Sequence, residues 1–331
     1  MRWSYLAGRW LCLALSMSGA ALAQQATEPS QESPVSDAPS GEPLRVPTVE
    51  VEEARVAPEP PDSAERRDPS GALTVIRVDA FGGAARDTAA MLSTAPGVTL
   101  QDSGGYGQSK SLVVRGASSN GTLVLLDGIP LNGTGGIADL SRVPAALAER
   151  FEVLRGGAGA RYGSGGLGGA INIITRRPGV SPRVAGELSY GSWDTALGWL
   201  SASGPLAGGE ALLLVHGGTS SGRFPYSFDP SPTLPGDALL ERRRTNNDAR
   251  GAGGLLRLRR ELGGGFSADL LGELSFDERG LAGTAQNPSE DARQSGGRGS
   301  ASLRLAGTLP GGVRTNARAY FRRDRVALSG G

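Results

Sequence analysis

The chain has 331 residues, with Lys+Arg 34 against Asp+Glu 33, 38% hydrophobic residues, Gly 52 and Pro 21. No interior window holds the roughly 18 consecutive apolar residues of a spanning helix, which excludes a helical membrane protein and leaves a lipid-facing β-barrel open. A single Cys (Cys12) and a single His (His216) leave little for a Cys/His metal site or a nucleophile-base pair, and the balanced charge with Lys110 as the lone lysine argues against a nucleic-acid partner. No catalytic residue, metal site or cofactor is expected.

In chain order, Arg2 and Arg9 precede an apolar run over 10–22 that ends in Ala21-Leu22-Ala23. This is the order of a secretory signal peptide, residues 1–23, with cleavage after Ala23. The mature chain then has no cysteine, which suits a periplasmic or outer-membrane protein. Residues 24–69 are rich in Pro, Ser and Glu and almost free of aromatic residues, so disorder is expected there. One island, 46–53, carries β propensity in Thr48, Val49 and Val51. It reads either as linker or as a strand that pairs with a partner's sheet edge.

Residues 70–178 read as a compact α+β domain. Strands are expected at 73–78, 111–115, 122–127, 151–155 and 170–175. A helix capped by Asp87 carries Ala90, Met91 and Leu92, and a short helix is expected at 144–150. Over 179–331 the period changes to two. Phe266, Ala268, Leu270, Gly272, Leu274 and Phe276 oppose Ser267, Asp269, Glu273, Ser275 and Asp277, with Leu271 as the exception. Ala301, Leu303 and Leu305 oppose Ser300, Ser302 and Arg304; Ala317, Ala319 and Phe321 oppose Asn316, Arg318 and Arg322. Apolar-out with charged-in is the pattern of a membrane barrel with a wet lumen. A soluble sandwich also alternates, but these runs exceed its usual strand of about 5 to 6 residues. Gly163, Gly165 and Gly168 fit the spacing of a dinucleotide fingerprint. That fingerprint needs a following helix, and Ile171, Ile173, Ile174 and Thr175 read as a strand. His216 reads as lumen-facing or structural.

Five motifs occur in order: Leu92 with Pro96-Gly97-Val98; Val114-Arg115-Gly116; Leu125-Leu126-Asp127-Gly128-Ile129-Pro130-Leu131; the stretch 149–157 around Phe151-Glu152-Val153-Leu154-Arg155-Gly156; and 162–175 ending in Ala170-Ile171-Asn172-Ile173-Ile174-Thr175. Together they resemble the plug domain of TonB-dependent outer-membrane receptors, in particular the vitamin B12 and siderophore transporters. The resemblance implies an α+β plug followed by antiparallel transmembrane β-barrel strands in the cell outer membrane. It implies no enzyme, but energy-coupled uptake of a ferric siderophore or cobalamin, with TonB as partner, ExbB and ExbD acting indirectly, and outer-membrane lipid around the barrel.

In that light Thr48, Val49, Glu50, Val51 and Glu52 resemble the TonB box, with Pro47 where family boxes commonly begin with an acidic residue. Arg115, Asp127 and Arg155 are candidates for plug–barrel ion pairs, ordinary surface pairs being the alternative. Gln101, Asp102, Ser103, Tyr106, Gln108, Asn132 and Thr134 fall in loops like those that touch ligand, Tyr106 to stack and Gln108 to hydrogen-bond; Gly-rich loop tips are the alternative. Residues 179–331 supply about seven or eight strands, where such transporters close about 22 around a plugged lumen. A fragment or truncated gene product, with an incomplete barrel, is therefore expected. The competing reading is a non-transporting plug-like module that binds TonB or a surface partner.

Overall fold

The structure, a computed structural model, describes residues 72–81, 87–133, 136–156, 166–230 and 239–330, all within the compact unit Val56–Gly331. The leader, the segment from Thr48 to Glu52, and Thr134 lie outside the described residues.

The first domain is built on a five-stranded sheet. Its strands are β1 (Ala72–Arg77), β4 (Thr122–Leu126), β5 (Ile129–Pro130), β6 (Ala148–Arg155) and β7 (Gly169–Thr175), in the order β1-β6-β7-β4-β5. A hairpin of β2 (Val98–Asp102) and β3 (Lys110–Val114) stands beside it. Central β7 is buried throughout, antiparallel to β6 and parallel to β4. That is why its sequence is an unbroken apolar and β-branched run instead of an alternating one. Ile171 and Ile173 join Phe151, Val153, Leu92 and Val114 in the main core, while Ala170 packs with Leu123, Leu125 and Leu154 on the other face. At Gly169 (φ 149°) a Cβ would meet the Leu154 carbonyl oxygen at 2.5 Å, so only glycine lets β7 start against β6.

Asp87 caps α1 (Thr88–Leu92) through its carboxylate, which accepts from Ala89 N at 2.7 Å and Ala90 N at 3.2 Å. The short helix expected at 144–150 is instead a single 3₁₀ turn, Ala145–Leu147. Strand pairing claims the rest: Ala148 and Arg150 register with Thr175 and Ile174, where buried backbone groups find ladder partners. The strand expected to include Asp127 stops one residue earlier. Asp127 (φ 47°) and Gly128 (φ 84°) form a two-residue turn into β5, the Asp-Gly signature of a tight hairpin.

The second layer is a seven-stranded antiparallel sheet: β8 (Arg183–Gly191), β9 (Thr195–Leu206), β10 (Gly209–Ser220), β13 (Ala249–Gly263), β14 (Phe266–Gly280), β15 (Arg293–Leu309) and β16 (Val313–Ser329). Among the described residues it has two edges, β8 and β16, and does not close. A small hairpin, β11 (Pro225–Phe228) with β12 (Leu240–Arg243), decorates the connection between β10 and β13. Connections 207–208, 264–265 and 310–312 at one end are tight, and those over 221–248 and 281–292 at the other are long.

The sheet is apolar on its outer face and charged on its inner face. Leu188, Leu213, Leu274, Phe276, Leu303 and Phe321 are exposed, whereas Arg257, Glu273, Arg279, Arg298 and Arg304 are buried on the side of the first domain. Leu271 breaks the alternation for a reason. With Leu212, Leu214 and Leu255 it forms an inward apolar patch that receives Leu147.

Candidate functional site

The chemistry of this molecule lies where the first domain meets the inner face of the wall. In the middle of that contact Asp127, held at the β4–β5 turn, accepts hydrogen bonds from Thr175 N (3.0 Å) and Thr175 Oγ1 (2.5 Å). A guanidinium nitrogen of Arg257, on β13, donates to Thr175 Oγ1 at 3.0 Å and stands 3.6 Å from the Asp127 carboxylate. The rest of that guanidinium holds Asp269 on β14 at 2.7 and 2.9 Å. Asp127 and Arg257 are 4% and 6% exposed. The turn is pinned again by Asn172, whose side-chain oxygen accepts from Gly128 N at 2.9 Å. From β16, Arg318 donates to the Asp127 carbonyl at 2.5 Å and Arg322 to those of Pro130 and Leu131.

A second contact lies toward the long-loop end. Asp139 accepts from Ser141 N (3.1 Å) and from Lys110 N (3.2 Å), and so fixes the 3₁₀ turn Leu140–Arg142 beside β3. Arg279 on β14 pairs with Asp139 at 3.0 Å and donates to the Gly107 carbonyl at 3.0 Å, gripping two loops at once. Arg142 answers in the opposite sense, pairing with Asp277 at 2.7 Å. Lys110 is held by Asp87 and, at 3.1 Å, by Asp102. Burial works against its charge, yet the two carboxylates outweigh burial and raise its pKa above the ordinary lysine value. Glu149 shows the opposite sign. Burial opposes its charge, but the Arg177 guanidinium at 3.0 Å, aided by Arg150 and Arg257, pulls its pKa below the usual carboxylate range.

The residues expected to touch ligand separate into two groups. Gln101, Asp102 and Ser103 are exposed on the β2–β3 hairpin. Tyr106 and Gln108, at its tip, are engaged by the wall. Gln108 is buried and donates to the Gly280 carbonyl at 3.2 Å. The Tyr106 hydroxyl lies against β10 so closely that a Cβ on Gly218 would sit 2.1 Å from it, and burial raises the phenol pKa. Asn132 bonds Val124 N (2.8 Å), the Thr122 carbonyl (2.9 Å) and the Gly136 carbonyl (2.7 Å), which ties its loop to β4.

Of the three charges expected at the plug–barrel contact, Asp127 is there. Arg155 donates to Thr74 Oγ1 (2.8 Å) and the Pro96 carbonyl (3.4 Å), both in the first domain. Arg115 is exposed at a left-handed turn (φ 52°) and pairs with no carboxylate among the described residues. Asp139, Arg142, Arg257, Asp277 and Arg279 were not singled out in the sequence. Their signal was the inward parity of the strands that carry the last three. His216 lies on the inner face of β10, beside Trp199 and Gly253 in the register, and lines a cavity of about 490 Å³ between wall and first domain, together with Tyr106, Lys110, Arg176, Glu187 and Trp199. Among the described residues no cluster of three potential metal ligands occurs.

Comparison with known proteins agrees with this architecture. Residues 65–170 match the family model for the TonB-dependent receptor plug domain. Solved structures with the same fold include the siderophore receptor PirA from Acinetobacter baumannii (21% identity, TM-score 0.59, covering 80% of this chain and 41% of that one). The ferric enterobactin receptor PfeA from Pseudomonas aeruginosa is similar at 21% identity and TM-score 0.57 (80% and 42% covered), and the alcaligin outer-membrane receptor FauA from Bordetella pertussis at 18% and 0.56 (78% and 40% covered). The chain thus spans about two fifths of the length of these receptors. Residues 65–170 are thus similar to the plug domain of TonB-dependent receptors, and the described chain shares with these solved receptors the fold of such a domain seated on the inner face of an antiparallel sheet.

Proposed function

We propose that the chain is the plug and adjoining wall of an energy-coupled importer, neither an enzyme nor a passive pore, and that its cargo is a ferric siderophore or a similar iron chelate. The observation that carries this is the mode of seating: the plug is held to the wall by discrete arginine–carboxylate contacts at two heights, with the β2–β3 hairpin at the long-loop end. Siderophore receptors among the structural relatives favour an iron chelate over cobalamin as cargo. Gln101, Asp102 and Ser103 are the ligand-facing residues of the hairpin; Tyr106 and Gln108 hold it to the wall, and Asn132 ties the neighbouring loop to β4. Thr48, Val49, Glu50, Val51 and Glu52 pair as a strand with TonB, energised indirectly through ExbB and ExbD.

The test is uptake of radio-iron chelates and of cyanocobalamin by iron-starved cells that carry the complete receptor. Val49→Pro removes a backbone donor and fixes φ, so it abolishes uptake while outer-face binding persists; Val49→Thr keeps the donor and β propensity, and is mild. Wild-type import by the proline variant would overturn the coupling role, and saturable cobalamin uptake without iron uptake would overturn the cargo.

A further inference from the structure

We propose that Lys110 is the positioning residue of the β2–β3 hairpin: its one ammonium ties the hairpin's tip to α1 and so sets Gln101, Asp102 and Ser103 for cargo. This rests on the reading above that the hairpin faces an iron chelate, and it names the residue that holds the hairpin in place.

Lys110 is the lone lysine in a chain whose Lys+Arg total is 34. It begins β3, opposite Asp102 in the register, and its side chain is 10% exposed. The ammonium pairs with Asp102 at 3.1 Å and also with Asp87. Each carboxylate has a second task. Asp102 Oδ1 accepts from Gly104 N at 2.8 Å and so opens the tip, where Gly104, Gly105 and Gly107 all take left-handed φ (88°, 83° and 73°). The other oxygen of Asp87 caps α1. A path of charge-assisted bonds therefore runs from the tip glycines through Lys110 to the helix.

The helix is the fixed end of that path. Ala89, Met91 and Leu92 lie in the main core, and Thr88 Oγ1 donates to the Val143 carbonyl at 2.5 Å. The backbone N–H of Lys110 donates to Asp139, the carboxylate that Arg279 grips from the wall. The tip is the loose end. Its three glycines have much freedom to lose, so a tip whose Asp102 is unheld spreads over many conformations. Chelate affinity scales with the fraction of molecules whose tip is correctly set, and a fall of that fraction to about a tenth weakens binding about tenfold.

The wall holds the far side of the tip, through Tyr106 and Gln108. On the near side Lys110 is the one cation paired with Asp102 among the described residues. Two carboxylates share this single positive charge. Taking it away does more than slacken the hairpin, because Asp87 and Asp102 are left facing each other and repel.

The complete receptor is studied in outer-membrane vesicles. A nitroxide at Ser103→Cys, with Cys12→Ser, reports tip mobility, and the unlabelled protein is titrated with ferric citrate, a ferric catecholate and a ferric hydroxamate carrying radio-iron. The nitroxide is immobile in the otherwise unaltered protein and mobile in Lys110→Met, whose affinity for the bound chelate falls about tenfold. Lys110→Gln, a neutral side chain of similar reach, gives the same losses and serves where the methionine variant does not fold. Lys110→Arg keeps the charge and stays within about twofold of wild type. Adding Asp87→Asn to Lys110→Met relieves the repulsion while the asparagine still caps α1, so tip order and affinity recover to within about threefold. An immobile tip or wild-type affinity in the neutral variants, a loss in Lys110→Arg as large as in Lys110→Met, or no recovery on adding Asp87→Asn would overturn the proposal. Should no chelate bind the wild-type receptor, the cargo reading falls, and the nitroxide alone decides whether Lys110 sets the tip.

Discussion

Removing the cation at the centre of the plug–wall contact tests how the plug is held. Arg257→Met keeps the length of the aliphatic stem and deletes the charge that faces both Asp127 and Asp269. Breaking a buried pair from one side costs about 3–5 kcal/mol, because the partner stays buried and uncompensated. Asp127→Asn is milder. Arg257 keeps Asp269, and the asparagine still accepts from Thr175, so the loss is about 1–2 kcal/mol, the scale of one charge-assisted hydrogen bond. Trp199 faces the plug beside Arg176, whose guanidinium lies 5.1 Å from its ring centroid, and so its fluorescence reports undocking. With a urea slope of about 1–3 kcal/mol per M, Arg257→Met lowers the release midpoint by about 1–5 M and Asp127→Asn by clearly less. The double variant loses less than the sum of the singles, since the two groups share one contact. A midpoint within about 0.3 M of wild type for Arg257→Met, or strictly additive losses, would refute the assignment.

At the hairpin tip, Gly218→Val drives a side chain into the space of the Tyr106 hydroxyl and destabilises docking by about 1–3 kcal/mol in the same titration, the usual cost of overpacking; adding Tyr106→Ala recovers most of it, and no recovery would mean the wall does not seat Tyr106. Glu149 has a lowered pKa in the folded state, so its contribution is present above the unfolded carboxylate value of about 4.3 and disappears as pH falls through the folded value. Glu149→Gln therefore lowers stability at neutral pH and flattens the acid limb, and an unchanged acid limb would contradict the Arg177 pairing. Lys110 runs the other way: its raised pKa stabilises below about pH 10.4 and that contribution fades as pH rises further, so Lys110→Met flattens the alkaline limb.

What was legible in the sequence was what depends on near neighbours. The Asp87 cap and the two-residue period of β14 to β16 follow from residues a few positions apart, and the order of motifs was enough to recognise the plug. What was hidden depends on partners far along the chain. Gln108 reads as a free loop glutamine until Gly280 is brought to it, and Tyr106 as a stacking residue until Gly218 lies against it. Arg257 and Arg259 share the inward parity of β13; only their height on the strand separates the one that meets Asp127 from the one that pairs locally with Glu261. The misread helix at 144–150 has the same origin, because apolar alanines and a leucine suit a helix until β7 offers a ladder.

The inner wall joins a small apolar patch around Leu147 to several buried ion pairs, and that balance bears on release. An apolar contact of the same area would hold the plug without regard to register. A buried arginine–carboxylate pair fixes register while contributing little net stability, since desolvation offsets most of the attraction. The Arg142–Asp277 pair, on the turn that Arg279 also grips, is the clean place to separate the two effects. Arg142→Met with Asp277→Leu replaces the pair by apolar side chains of similar reach. Such exchanges are often neutral or stabilising by about 1–4 kcal/mol, so the urea midpoint for plug release stays level or rises. If the plug must leave this contact during import, the same variant transports more slowly with unchanged outer-face binding. Faster or wild-type import alongside a raised midpoint would show that this contact stays closed while cargo passes.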